Sequence, residues 1–195
     1  MRNAFLLVLA FSSLLAAGST QAARPAKSTQ QPQPAQAKDT TPPSYDMKPQ
    51  SLQDLEGMNQ KFVTLAQAIP ADKFTWRPAP GVRSVSEVYM HIVEANFYLL
   101  SVAGGPKFPA DYKEGMDTSV KSKPEVIAWL KRSLDVVKQA HAKVTPADLQ
   151  RKVHIADRNA TVDGMYLRII VHANEHMGQL VAYARMTGVT PPWSQ

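Results

Sequence analysis

Four segments of the chain repeat apolar residues at intervals of three and four, the period of an α-helix that buries one face. These segments are residues 51–69, 84–103, 122–144 and 162–187. Helix-breaking residues follow them, for example Pro70 after the first segment and Gly188 after the fourth. The pattern predicts an all-α fold, most simply a four-helix bundle.

Two of these segments open with a serine that is followed three residues later by an acidic residue. The pairs are Ser51 with Asp54 and Ser84 with Glu87. In such a capping box, each side chain accepts a hydrogen bond from the other residue's backbone N–H. We therefore expect the first helix to begin at Ser51 and the second at Ser84.

The connections between the predicted helices differ in length. Residues 104–121 are long for a link between neighbouring antiparallel helices, so we expect a crossover that runs the length of the bundle between helices 2 and 3. Residues 149–161 alternate weakly between apolar and polar side chains. They predict a short hairpin or an irregular excursion before the fourth helix.

The N-terminal residues have the composition of a targeting segment. Arg2 precedes a short apolar run, and small residues follow at 20–23. This order is typical of a secretory signal peptide, which we assign to residues 1–22. The mature protein is then expected to be periplasmic or secreted, without an integral membrane segment once the signal peptide is cleaved.

Residues 23–50 are rich in proline and glutamine and show no apolar periodicity. Such a stretch cannot bury enough surface to offset the entropy lost on ordering, so we interpret it as a disordered tether. The folded domain is accordingly expected to span residues 51–195.

Composition restricts the chemistry of the chain. It has no cysteine, which removes disulfides, thiolate ligands and thiol nucleophiles. The net charge of +6 is dispersed, and no run of lysine and arginine of the kind that follows a phosphate backbone is present. We therefore expect no nucleic-acid partner, and any metal site has to use nitrogen and oxygen ligands.

Three of the five histidines, His91, His172 and His176, lie on the core-facing stripes of the second and fourth helices. Each could be a hydrogen-bonded core residue, but leaving three such groups unsatisfied would cost about 1–3 kcal/mol each. A shared metal ion removes this cost, and zinc, nickel, copper and iron(II) all suit imidazole ligands. His141 and His154 are interpreted as surface residues.

Several residues near these histidines are candidates for supporting roles. Glu87, Glu94 and Glu175 could each hold the second nitrogen of a ligating ring. Glu94 and Tyr98 are also candidates for a general acid or base, whereas Gly178 could admit a neighbouring helix or a ligand. For each glutamate, the alternative is an ordinary solvated helix residue.

Residues 51–192 resemble the DinB-like (DinB/YfiT) family of four-helix metalloproteins. The resemblance rests on W-R-P-A-P-G at 76–81, S-x-x-E-x-x-x-H-I at 84–92, H-x-x-x-H-x-G-Q at 172–179 and R-x-x-G-V-x-P-P at 185–192. It implies a bundle with a long crossover and a divalent metal, such as Zn, Ni or Fe, held by His91, His172 and His176. Met177 directly follows His176, at a position where arginine is frequent in the family. A substrate or dimer contact made by that arginine is therefore not carried over to this chain.

Family activities implied by the resemblance are diverse. Some members transfer low-molecular-weight thiols, but export argues against that reaction here, because such thiols are held mainly inside cells. One hypothesis is an exported metal-dependent hydrolase or transferase with a small-molecule substrate. The alternative is a non-catalytic metal-binding or interaction protein of the cell envelope. A homodimer is compatible with either.

Overall fold

The computed structural model describes residues 46–194. The signal peptide predicted at 1–22 lies outside the described residues, as does most of the tether predicted at 23–50. Within the described range, every helix is too short or too polar to cross a lipid bilayer.

Four long helices and several short elements make up the described chain. The long helices are α1 (Met47–Ala68), α2 (Val85–Val102), α4 (Lys123–Lys143) and α6 (Val162–Met186). The short helices are α3 (Met116–Ser119) and α5 (Pro146–Leu149), and single 3-10 turns occupy Ala71–Lys73 and Pro192–Ser194. Strands β1 (Lys152–Ile155) and β2 (Arg158–Thr161) precede α6. The all-α prediction is confirmed.

Helix α2 begins where the sequence predicts. The Ser84 side chain accepts from the Glu87 N–H, and the Glu87 carboxylate accepts from the Ser84 N–H at 2.8 Å. The same carboxylate pairs with Arg77 at 2.8 Å, and Arg77 also donates to the Val82 carbonyl. The capping box therefore also fixes the proline-rich loop that leads into α2.

Helix α1 begins four residues earlier than the expected Ser51. Asp46 is its N-cap and accepts from the Lys48 N–H, whereas the Ser51 hydroxyl donates to the Lys48 carbonyl inside the helix. The Lys48 ammonium donates to the Ala142 and Val144 carbonyls at the end of α4. Cations favour a helix C-terminus, so this tertiary contact adds to the local Asp46 cap in stabilising the earlier start.

The four long helices form a bundle in which α1 and α2 each pack against both α4 and α6. Lys123, at the start of α4, lies over the Phe74 ring, and the Phe74 carbonyl accepts from the Ser86 N–H at the start of α2. Gly104, just after α2, lines a cavity with Ala140 near the end of α4. Helices α2 and α4 are therefore parallel. The segment between them must return along the bundle, which confirms the predicted crossover.

Apolar side chains from all four long helices fill the centre of the bundle. The largest fully buried ones include Phe62, Tyr89, Phe97, Leu130 and Met165. Burial of a side chain of this size stabilises the fold by about 1.5–3 kcal/mol. This core fixes the relative rotation of α2 and α6, and hence which of their residues face each other.

The predicted excursion before α6 is an antiparallel hairpin. Its register pairs Lys152 with Thr161 and Ile155 with Arg158. Ala156, in the two-residue turn, has a φ of 52°. Left-handed backbone is uncommon for a residue with a Cβ, and it suits the primed turns that close two-residue hairpins.

The two remaining histidines differ in their environment. His154 on β1 is exposed, as predicted, with its Nδ1 3.2 Å from the Asn159 side-chain oxygen. His141 is instead fully buried, so its assignment to the surface was wrong. Its ring stacks on Tyr166 with centroids 4.1 Å apart, and burial lowers its pKa to about 4. It occupies the inward face of α4 as a neutral ring.

Candidate metal centre

The bundle brings His91, His172 and His176 together. His91 lies midway along α2, and the other two lie one turn apart on the facing side of α6. The His172 Nε2 is 3.2 Å from the Nε2 of His91 and 3.2 Å from that of His176. One nitrogen from each ring falls within 4.8 Å of the other two, and all three residues are half-buried.

The far side of the His176 ring is held by a chain of contacts. Its Nδ1 is 2.8 Å from the Gln179 side-chain oxygen, and the Gln179 Nε2 donates to the Tyr183 hydroxyl at 2.8 Å. Trp76 packs edge-on against Tyr183, with ring centroids 5.4 Å apart. Since an amide oxygen only accepts, the His176 proton resides on Nδ1, and its Nε2 presents a lone pair to the cluster.

The cluster favours neutral imidazoles. The pKa of His91 is lowered to about 4, first by burial and then by the positive charge of Arg83 and by the other two rings. The pKa of His172 is also lowered to about 4, by burial and by His176 and Arg168, although Glu175 opposes this effect. Neutral rings are the form that binds metal, so these two histidines are ready to coordinate at neutral pH.

A divalent metal ion fits this donor set. Two neutral rings placed Nε2 against Nε2 can share at most one proton, so the three nitrogens cannot satisfy one another by hydrogen bonds alone. A cation accepts all three lone pairs at once. Three nitrogen ligands leave a coordination position for water or substrate, as in catalytic zinc sites, but imidazole ligands also suit nickel and iron(II).

A cavity of about 460 Å³ opens beside His91 and His172. Glu94 and Tyr98 on α2 line it, together with Arg168 on α6 and the tip of the hairpin. The pKa of Glu94 is raised by burial and by the nearby Asp117, against the opposing effect of Arg83. Both residues that the sequence suggested as an acid or base therefore border the same space as two of the histidines.

The other supporting roles expected from the sequence are distributed differently. Glu87 is used by Arg77 and the cap of α2, and Glu175 pairs with Arg168 at 3.4 Å. Gln179, which sequence reasoning did not single out, is the residue that holds a histidine nitrogen. Its position one turn after His176 on the same helix is the sequence feature that could have identified it as a hydrogen-bond partner of that histidine. Gly178 is exposed, with nothing within 4 Å of an added Cβ, so no close approach requires it.

Replacing Gln179 with alanine should lower metal affinity about 10–100-fold, because the His176 ring would lose the acceptor that fixes its tautomer and orientation. Competition with a fluorescent zinc chelator would measure the change. Gln179→Glu, which keeps an acceptor at the same position, should retain the affinity. Equal loss in both variants would contradict this orienting role.

A sequence model of the DinB superfamily matches residues 54–180, most of the bundle and all three histidines. No curated protein gives a significant match to the chain.

Solved structures of several bacterial proteins are similar to this chain. A DinB-like protein from Bacillus cereus shares 24% identity at a TM-score of 0.65, covering 73% of this chain and 93% of its own. A DinB-like protein from Bacillus subtilis shares 20% identity at a TM-score of 0.59, covering 72% of this chain and 93% of its own. At these identities, the similarity establishes the fold.

A further similar structure is YfiT from Bacillus subtilis, described as "a probable metal-dependent hydrolase with an unusual four-helix bundle topology". It shares 15% identity at a TM-score of 0.61, and the match covers 79% of this chain and 95% of that protein.

Proposed function

Since the chain belongs to the DinB superfamily, we propose that it is an exported metal-dependent hydrolase that acts on a small molecule in the cavity beside its three histidines. The observation that carries this proposal is the convergence of one nitrogen each from His91, His172 and His176 beside a cavity lined by Glu94. The description of YfiT as a "probable metal-dependent hydrolase" supports the same class of reaction.

The three histidines would hold the ion, and Gln179 would keep the His176 ring in the tautomer that coordinates. A divalent ion bound there supplies Lewis-acid chemistry, polarising a carbonyl group and acidifying water. The lowered pKa values of His91 and His172 keep these ligands unprotonated well below neutral pH.

Glu94 is the residue we assign to proton transfer. It follows His91 by three positions on α2 and therefore lies on the same side of that helix, bordering the cavity. Its raised pKa makes the carboxylate a better proton acceptor than an ordinary glutamate. Glu94 would take the proton of the attacking water and deliver it to the leaving group.

The metal dependence of hydrolysis tests this proposal. Purified protein should hydrolyse at least one of a panel of small para-nitrophenyl esters. Dialysis against a chelator should abolish the activity, and stoichiometric zinc, nickel or iron(II) should restore it. Metal binding without hydrolysis of any ester or amide tested would instead favour a non-catalytic metal-binding protein of the cell envelope.

Export is part of the proposal and rests on residues 1–22. Arg2, the apolar run and the small residues before Arg24 match the requirements of a signal peptidase substrate. Protein recovered from the periplasm or the medium should therefore begin near Ala23 when its N-terminus is sequenced. Recovery of chains that still begin with Met1 from the same fraction would refute cleavage.

A further inference from the structure

The cavity beside the metal centre has a distinctly apolar wall. Ala95 and Leu99 contribute to it from α2, Phe108 from the crossover, and Ile155 from the tip of the hairpin. Burial of apolar ligand surface against such side chains is the main source of affinity for a small molecule. A substrate made only of polar groups would leave this wall unused.

Charge in the cavity is unevenly placed. Among the described lining residues, Arg168 is the one with a positive charge and Glu94 is the one with a carboxyl group. They approach from different helices, α6 and α2. Arg83 adds positive potential near these residues, since its charge lowers the pKa values of His91, His172 and Glu94. A bound divalent cation would make the potential more positive still.

The Arg168 guanidinium has capacity for a ligand. Its ion pair with Glu175 uses Nη1 at a long 3.4 Å, and the side chains of Arg168 and Glu175 are 39% and 53% exposed. A guanidinium carries five N–H donors in a planar fork that matches a carboxylate. Such an exposed pair contributes little to stability, so exchanging Glu175 for a ligand anion would cost little.

We infer that the substrate has an apolar body with a carboxylate at one end, which Arg168 binds while the apolar wall holds the body and the scissile bond lies at the histidines. This inference rests on the proposed hydrolase function and specifies its substrate class. Arg168 lies one turn before His172 on α6, so an anion held by it would sit close to the metal centre.

Two esters of equal chain length test the inference: the para-nitrophenyl monoester of glutaric acid and neutral para-nitrophenyl pentanoate. Zinc-loaded protein should hydrolyse the acidic ester with a kcat/KM roughly tenfold higher or more, because a charge-assisted hydrogen bond contributes on this scale. Arg168→Gln should remove that preference, so that the ratio of kcat/KM for the two esters falls to about one. Equal kcat/KM for the two esters in the native protein would overturn the inference.

Glu175→Gln is the matched control. It breaks the same ion pair but leaves the guanidinium in place, so the preference for the acidic ester should persist or increase. If Glu175→Gln lost the preference as Arg168→Gln does, Arg168 would have only a structural role. Zinc content and thermal melting should match the native protein in both variants, which separates loss of the anion site from loss of the fold or the metal.

A binding measurement separates this inference from the hydrolase proposal. Fluorine NMR of zinc-loaded protein should show para-fluorophenylacetate binding at least tenfold more tightly than the neutral para-fluorophenylacetamide, with the difference lost in Arg168→Gln. That result without hydrolysis of any ester would overturn the hydrolase and retain the anion site. Hydrolysis of both esters together with equal binding of the two probes would retain the hydrolase and overturn the anion site.

Discussion

Replacing His176 with alanine is expected to remove most of the bound metal. The substitution deletes one of three converging nitrogens, and the two that remain, on His91 and His172, come from different helices. Metal that binds only the native state stabilises it by about 2.7 kcal/mol at a hundredfold excess over the dissociation constant. For a domain of this size, that corresponds to a melting shift of roughly 5–10 °C. The shift on adding zinc should disappear in the variant.

His154→Ala is the control for this experiment. His154 is exposed on the hairpin and is not one of the three clustered histidines, so its loss should change neither metal content nor the melting shift. His141→Ala is unsuitable as a control, because that ring is fully buried and its removal would leave a cavity. Equal metal in the His176 and His154 variants, measured by elemental analysis, would show that the three histidines do not form the site.

Replacing Glu94 with glutamine should lower kcat about 10²–10⁴-fold, the range usual for loss of a general acid or base. Glutamine keeps the shape of the side chain but cannot take up a proton. Among the described residues, the group that could hold a metal is the three histidines without Glu94, so zinc content should be unchanged. Glu114→Gln, an exposed substitution in the crossover, should retain full activity.

The pH profile gives the Glu94 assignment a second test. A base must be ionised, so activity should fall as pH decreases through the Glu94 pKa, which burial and Asp117 raise above its usual value of 4.5. The pKa values of the metal ligands His91 and His172 are about 4, so these two rings are protonated only at lower pH than Glu94. The residual activity of Glu94→Gln should not fall in the pH range where Glu94 takes up its proton in the native protein. An unchanged profile would assign proton transfer to another group, with Tyr98 the nearest alternative.

Local sequence patterns predicted most of the fold because helices are built from local rules. Periodicity located all four long helices, and the Ser84–Glu87 capping box placed the start of α2 correctly. The length of residues 104–121 predicted the crossover, since no shorter path joins two parallel helices. The early start of α1 was missed because Ser51 and Asp54 resemble a capping box. The helix is instead capped by Asp46 and held by the contact of Lys48 with the end of α4, more than ninety positions away.

The candidate site likewise combines features set by local sequence with features set by tertiary packing. The spacing of His172 and His176 on one helix, with His91 on the inward face of another, is a local property that can be read from the chain. The contacts of His176 with Gln179 and of Gln179 with Tyr183 are also local to α6, whereas Trp76, which packs on Tyr183, is far away in sequence. Similarly, the sequence alone indicates only that His141 is a polar residue on a helix. Its packing against Tyr166 in the folded chain shows that this helix face is buried.

The sequence by itself determined the helices, their apolar faces and the three histidines, because intervals of three and four residues specify which side chains share a helical face. Only the tertiary structure decided which faces meet. It placed Glu94, Arg168 and the hairpin tip around one cavity and packed Trp76 against Tyr183. Such contacts depend on the rotation and register of packed helices, which are set by the whole core together, and no short stretch of sequence encodes them.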